Sequence, residues 1–259
     1  MTSDLPRPIA FVLSGGGPLG AIQVGMLQAL AEHGLRPDLV VGVSAGAING
    51  ALLAADPDGA AERLARTWAA LDRHQVFPGR TAWHLLTLRR HPNYIFPSTG
   101  LEAAIRREAG SLRIEDLPVR FAAVAVDAAS GQPVLFERGP LAPVLLASSA
   151  IPAVYPPVEI DGTLYYDGGI AGNVPLRWGL DLGAASIVVL DCRISQDPTR
   201  VPRTVGQAVA FSLAVMIGRH AHEELERVSA EVPVVYLPGP SGARRSIFDF
   251  SHTGWLQDT

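Results

Sequence analysis

The sequence Val41-Gly42-Val43-Ser44-Ala45-Gly46-Ala47 decides how the rest of the chain is interpreted. Residues 39–43 are apolar or glycine, as in a buried parallel strand, and residues 45–55 are mostly small and apolar, as in a helix. The pattern fits G-x-S-x-G, in which a sharp strand-to-helix turn places a serine at the carboxyl edge of a sheet. A pentapeptide alone is equally consistent with a structural turn. The flanking strand and helix favour Ser44 as a nucleophile, with Gly42 and Gly46 forming the elbow.

Predicted strands and helices alternate on both sides of this turn. All-apolar runs at residues 9–13, 39–43 and 187–190 are typical of buried parallel strands. Helical periodicity separates them, and residues 121–127, 133–136 and 155–166 predict antiparallel pairing. The pattern predicts an α/β fold, a three-layer α/β/α sandwich with a mainly parallel central sheet. We expect one domain over residues 1–259.

A glycine-rich loop follows the first predicted strand. Residues 14–20 read Ser-Gly-Gly-Gly-Pro-Leu-Gly, and the N–H groups of Gly15, Gly16 and Gly17 can converge on one anion. Such donors stabilise the oxyanion of acyl transfer, and losing one costs about 3 kcal/mol. The loop also fits the dinucleotide fingerprint G-x-G-x-x-G, but that site needs an acidic residue at the end of the second strand, and Asp38 stands at its beginning. A third interpretation is a loop used only for close packing. The neighbouring elbow favours an oxyanion hole.

The serine needs a base, and histidine is the usual choice. Only His220, His222 and His252 come late enough in the chain for the order Ser, Asp, His. The first two lie in a predicted helix with charged neighbours, where a solvated face explains them, and His252 follows no strand. Asp167 follows a predicted strand and precedes two glycines, so it is the better candidate. The alternative is that Asp-Gly-Gly forms a simple turn.

These residues resemble the motifs of patatin-like phospholipases, which are lipid acyl hydrolases with a Ser–Asp dyad. Residues 15–20 are similar to their oxyanion loop, residues 42–46 to their nucleophile elbow, and Asp167-Gly168-Gly169 to their catalytic Asp-Gly-Gly. Residues 147–152 and 173–175 also match, so the resemblance spans about residues 9–190. It implies an acyl-enzyme on Ser44, Asp167 as base, a lipid or acyl-ester substrate, and no metal or cofactor. One departure is Leu19, where the family usually carries a basic residue.

Two alternatives to a hydrolase stay open on the sequence. The first is a non-catalytic module that binds a nucleotide or an acyl ligand. The second is an acyltransferase that delivers the acyl group to an acceptor other than water. Head group, chain length and oligomeric state are not encoded in any motif.

The composition of the chain indicates which partners and which cellular compartment to expect. A net charge of −4 and 48% apolar residues indicate a globular chain without nucleic acid as a partner, and one cysteine excludes an intrachain disulfide. No run is long enough to span a bilayer. We therefore expect a cytoplasmic protein.

Residues 73–98 differ from the rest of the chain, because arginines, histidines and large apolar residues cluster there without an acidic residue. We interpret the segment as a lid or insertion, with peripheral membrane contact through Phe77, Trp83, Leu85 and Leu86 as a hypothesis. The alternative is a helical insertion whose apolar residues cover the core. We also expect the apolar face of residues 204–228, with Phe211 and Val215, to pack into the core.

Overall fold

A computed structural model describes residues 5–71, 76–77, 93–192 and 201–239. Its eight strands form one sheet in the order β5-β6-β3-β2-β1-β7-β8, with β4 paired to β3. The strands are β1 (Ile9–Leu13), β2 (Leu39–Val43), β3 (Arg120–Asp127), β4 (Pro133–Phe136), β5 (Val158–Ile160), β6 (Thr163–Asp167), β7 (Ser186–Leu190) and β8 (Val234–Leu237).

The centre of the sheet is parallel. Strands β3, β2, β1, β7 and β8 run in one direction, whereas β4, β5 and β6 are antiparallel to their neighbours. The predicted mainly parallel sheet is therefore confirmed, and the antiparallel pairing falls where the sequence placed it.

Helices cover both faces of the sheet. They are α1 (Ile22–Glu32), α2 (Ala45–Ala55), α3 (Ala60–Ala70), α4 (Thr99–Ala109), α5 (Leu141–Ser148), α6 (Leu176–Asp181) and α7 (Val205–Ser229). Alternate residues of β1 explain the three layers, because Phe11 packs with α1, α2 and α3 while Val12 packs with α6 and α7. A strand that buries both faces needs apolar residues throughout, which is what residues 9–13 provide.

Two expectations about apolar side chains can be compared with the structure. Phe77, one of the residues of the hypothesised membrane contact, is only 7% exposed and stacks on Tyr155 at a centroid distance of 5.8 Å, which agrees with the alternative that apolar residues of this segment cover the core. Phe211 and Val215 are 44% and 41% exposed, so the expectation that they pack into the core is wrong. An apolar helix face marks where burial is favourable, but it does not say whether another element lies opposite.

Residues 73–75 and 78–92 of the predicted lid, among them Trp83, Leu85 and Leu86, lie outside the described residues, as does His252. At the described ends of that segment, Val76, Phe77 and Phe96 contact the core. None of the helices over the described ranges is both long enough and apolar enough to cross a membrane.

Candidate active site

Ser44 stands at the sharp turn between β2 and α2. Its φ of 56° and ψ of −126° are a conformation that non-glycine residues rarely adopt, and such strain costs on the order of 1–3 kcal/mol. Gly42 and Gly46 make the turn feasible. A Cβ on Gly42 would overlap the carbonyl oxygen of Gly46, and a Cβ on Gly46 would overlap the carbonyl oxygen of Leu13. The turn therefore requires glycine at both positions for steric reasons, as the motif predicts.

The sheet register brings Asp167 level with Ser44. Val43, the last residue of β2, pairs with Val124, and the next residue of β3, Ala125, pairs with Asp167. Ser44 and Asp167 thus lie on either side of β3 at the same height in the sheet. Because Ala125 carries only a methyl group, the two side chains can meet over it.

The Ser44 hydroxyl lies close enough to the Asp167 carboxylate to lower its pKa as a hydrogen-bond donor does. The backbone N–H of Gly169 donates a hydrogen bond to Oδ1 of Asp167 at 2.7 Å. Asp167 is 4% exposed, so the carboxylate lies in a nearly dry environment with both groups beside it. The structure therefore brings together the two residues that the sequence proposed as nucleophile and base.

Burial raises the pKa of Asp167 to about 6, against the opposing effect of the hydrogen bonds from Ser44 and Gly169. Desolvation disfavours the charged carboxylate, and the two donors recover only part of that cost. A carboxylate of this pKa is still ionised at neutral pH and accepts a proton more readily than an ordinary aspartate.

Ser148 fixes the backbone of Ser44, a role that sequence reasoning missed. Its hydroxyl accepts a hydrogen bond from the Ser44 N–H at 3.0 Å and donates one to the Val124 carbonyl at 2.7 Å. Ser148 is fully buried at the end of α5. The elbow is thereby tied to β3, the strand that separates Ser44 from Asp167. The only available signal was the match of residues 147–152 to the family motif.

The glycine loop lies directly against Ser44, since a Cβ on Gly15 would be 3.0 Å from the Ser44 Cβ. Gly15 itself is engaged within the fold: its N–H donates to the Asn173 carbonyl at 3.1 Å, and Asn173 Nδ2 donates to the Gly15 carbonyl at 2.9 Å. Of the three N–H groups predicted to form an oxyanion hole, that of Gly15 is therefore used as a structural bond. Those of Gly16 and Gly17 make no such bond in the described part of the chain.

Asn173 is the second residue that sequence reasoning passed over, although it lies inside the matching segment 173–175. It lies next to the Asp167-Gly168-Gly169 turn as well as the glycine loop, because a Cβ on Gly169 would lie 2.8 Å from its Oδ1. The asparagine therefore spans the space between the two loops that flank Ser44.

His220 and His222, two of the histidines that we set aside as bases, are not part of this cluster. His222 lies 3.3 Å from Glu226 on the exposed surface of α7. His220 is exposed on the same helix, near Gly172. Within the described ranges, no group of His, Cys, Asp and Glu side chains could hold a metal ion.

Comparison with known proteins finds a matching family and several relatives. A family model described as "Patatin-like phospholipase" matches residues 11–177. An uncharacterised NTE family protein of Mycobacterium tuberculosis is 37% identical over 174 residues, which are 67% of this chain and 46% of that protein. A lysophospholipase of Aspergillus terreus is 29% identical over 208 residues, 79% of this chain and 13% of that protein. The crystal structure of VipD from Legionella pneumophila has a TM-score of 0.47 at 17% identity, covering 98% of this chain and 67% of that one.

The fold and site define an α/β protein that presents a strained serine to a buried carboxylate. The chain belongs to the patatin-like phospholipase family. It spans less than half the length of the mycobacterial relative and a small part of the fungal one.

Proposed function

We propose that this chain is a serine hydrolase that cleaves acyl esters of lipids, using Ser44 as nucleophile and Asp167 as base. The observation that carries the proposal is the position of the Ser44 hydroxyl beside the buried Asp167 carboxylate, whose pKa is about 6. A serine on a strained strand-to-helix turn needs such a base to become nucleophilic. The family model described as a phospholipase and the fungal relative described as a lysophospholipase make a phospholipid or lysophospholipid the first substrate class to test.

The reaction proceeds in two steps. Ser44 Oγ attacks the ester carbonyl carbon while its proton passes to Asp167, and the carbonyl oxygen becomes an oxyanion. The carbon–oxygen bond to the leaving alcohol then breaks, and Asp167 returns the proton to that alcohol. In the second step water attacks the acyl-enzyme and gives its proton to Asp167. The proton then goes to Ser44 Oγ as the fatty acid leaves.

Gly16 and Gly17 supply the oxyanion donors in this proposal. Gly17 begins a short 3₁₀ helix over Gly17–Ala21, so its N–H has no acceptor within that helix. The Gly15 N–H contributes indirectly, since its bond to Asn173 holds the loop beside Ser44. Backbone donors fixed in advance cost no reorganisation when charge develops on the substrate.

Labelling with a fluorophosphonate probe tests the proposal directly. We expect one probe per chain, located on Ser44 by peptide mass spectrometry, because such probes react with activated serines. A parallel panel of phospholipids, lysophospholipids and p-nitrophenyl acyl esters should release free fatty acid. A folded protein that takes no label would contradict the hydrolase and favour a binding module. Acyl transfer to an added alcohol in place of fatty acid release would favour a transferase.

The activity should fall on acidification in a defined range. Asp167 acts as base only when ionised, and its pKa is about 6. We expect kcat/KM to be flat above about pH 7 and to fall about tenfold for each pH unit below 6, reaching roughly a tenth at pH 5. Initial rates with a non-ionising p-nitrophenyl ester would measure this, with circular dichroism as the control for folding. A rate that stays flat from pH 8 to pH 5 would be incompatible with Asp167 as base.

A further inference from the structure

A chain of buried amides lies behind the glycine loop, on the side of the sheet covered by α1, α2 and α3. Gln23 on α1 and Asn49 on α2 are both fully buried, and Trp68 on α3 is 5% exposed. Fully buried amide side chains are uncommon and need partners for every polar group. The mechanism above uses none of these three residues.

The hydrogen bonds that link Trp68, Asn49 and Gln23 have a fixed direction. The Trp68 indole N–H can only donate, and it donates to Asn49 Oδ1 at 2.9 Å. The Asn49 Nδ2 group must then face away from Trp68. It donates to the Gly20 carbonyl at 2.9 Å and to Gln23 Oε1 at 2.8 Å.

Gln23 continues the sequence of bonds to the other end of the loop. With its Oε1 occupied by Asn49, its Nε2 group donates to the Ser14 carbonyl at 2.9 Å and to the Leu190 carbonyl at 3.0 Å. Every polar atom of the two amides has a hydrogen-bond partner, so turning either amide group around would break these bonds.

The buried amides bind both ends of the glycine loop, at the carbonyl groups of Ser14 and Gly20. Ser14 is the last residue before the glycines, and Gly20 closes the loop. Gly20 is also packed tightly, because a Cβ there would lie 2.8 Å from the Ala45 Cβ and 2.8 Å from the Trp68 ring. Ala45 directly follows Ser44, so the loop is positioned against the same helix that begins at the nucleophile.

We propose that Trp68, Asn49 and Gln23 are positioning residues that fix the position of the glycine loop relative to Ser44. The role of the loop as an oxyanion hole rests on the proposed function. The donors of Gly16 and Gly17 are effective only at hydrogen-bond distance from the oxyanion, and a shift of about 1 Å can cost 10²-fold in rate. None of the three residues touches the substrate in this proposal, and all act through the loop backbone.

Trp68→Phe is the first test, because it removes the indole N–H and the ring edge that packs on Gly20. We expect kcat for a p-nitrophenyl ester to fall about tenfold with KM within about twofold, since ground-state binding does not use the oxyanion donors. Leu64→Val is the matched control. Leu64 is fully buried one turn earlier on α3, so this variant loses core packing without changing the amide chain.

Asn49→Asp is a second variant that nearly preserves shape while removing donors to Gly20 and Gln23. It keeps the test available should Trp68→Phe fold poorly. Urea unfolding of all three variants would establish that activity is compared between folded proteins. An equal loss of kcat in Leu64→Val and Trp68→Phe would overturn the positioning role.

Amide NMR of protein labelled with ¹⁵N-glycine separates this proposal from the hydrolase itself. The Gly16 and Gly17 resonances should shift in Trp68→Phe and Asn49→Asp and stay in place in Leu64→Val. An inactive wild-type protein whose loop amides respond in this way would reject the hydrolase and retain the positioning chain. Loop amides that do not respond would overturn the positioning chain, whatever the activity of the wild type.

Discussion

Ser44→Ala should lower the hydrolysis of acyl esters by about 10⁴-fold or more, because removing a catalytic serine leaves only binding and the oxyanion donors. The same variant should take no fluorophosphonate label. Alanine is preferable to glycine here, because it keeps a Cβ at the φ of 56° and therefore leaves the backbone strain unchanged. The difference from the wild type is then the hydroxyl group alone.

A buried serine elsewhere in the sheet provides the control. Ser186 is fully buried at the start of β7, and its hydroxyl donates to the Pro6 carbonyl at 2.7 Å. Ser186→Ala loses a buried hydrogen bond of ordinary strength, which costs about 1 kcal/mol, and should keep full activity. Turnover in Ser44→Ala equal to that of Ser186→Ala would refute the assignment of the nucleophile.

The elbow could be predicted from the sequence because its determinants are local. A buried strand, a glycine on either side of Ser44 and a helix of small residues all lie within residues 39–55. The steric overlaps that a Cβ would make at Gly42 and Gly46 explain why the sequence pattern has glycine at these two positions. The same holds for β1 and β7, whose continuous apolar residues predict a strand buried on both faces.

The partners of the elbow depend on register, which no local pattern contains. Asp167 could be proposed because it precedes two glycines, but its position beside Ser44 follows from the pairing of Ala125 with Asp167 across β3. Ser148 and Asn173 have no such local signature. Each is a small polar residue whose role exists only because the fold places it against Ser44 or Gly15.

The outcome for Gly15 shows the same limit. Three consecutive glycines suggest three equivalent donors, yet the acceptor for the Gly15 N–H is the carbonyl of Asn173, 158 positions away. The misassigned Phe211 and Val215 have a related cause, since exposure depends on what packs opposite an element rather than on the element itself. Sequence therefore predicts which groups a site contains better than it predicts which of them are already engaged.

Asp167→Asn should reduce activity by about 10²–10⁴-fold, the usual contribution of a positioned base. Asparagine has nearly the same shape, and its Oδ1 can still accept the hydrogen bond from Gly169. It cannot accept the proton of the Ser44 hydroxyl. Turnover of a p-nitrophenyl ester at pH 8 is the measurement, and wild-type turnover in this variant would contradict the role of Asp167 as base.

The same variant should be more stable than the wild type at pH 8. The pKa of Asp167 is raised from 3.8 to about 6 in the folded protein, so the folded state binds more protons than the unfolded state between these values. Stability from this group is therefore fully present below about pH 4 and is lost as the pH rises through 6. Above that range the wild type carries the cost of a buried charge, up to about 3 kcal/mol for a shift of about two pKa units. We expect Asp167→Asn to gain about 1–3 kcal/mol at pH 8, with the gain disappearing as the pH falls towards 4.

Asp38→Asn supplies a control of opposite sign. Burial alone would raise the pKa of Asp38, but hydrogen bonds from Arg7 and the Ile9 N–H hold it below its ordinary value. Asp38 therefore stabilises the fold once it is ionised, and its replacement should lower stability at pH 8 while leaving activity intact. Urea unfolding at pH 8 and at pH 5 would separate the two variants. Because a base that is costly to bury is retained only where it is used, an Asp167→Asn protein that is inactive and more stable would identify Asp167 as functional. One that is inactive and less stable at pH 8 would contradict the buried-charge explanation of its pKa.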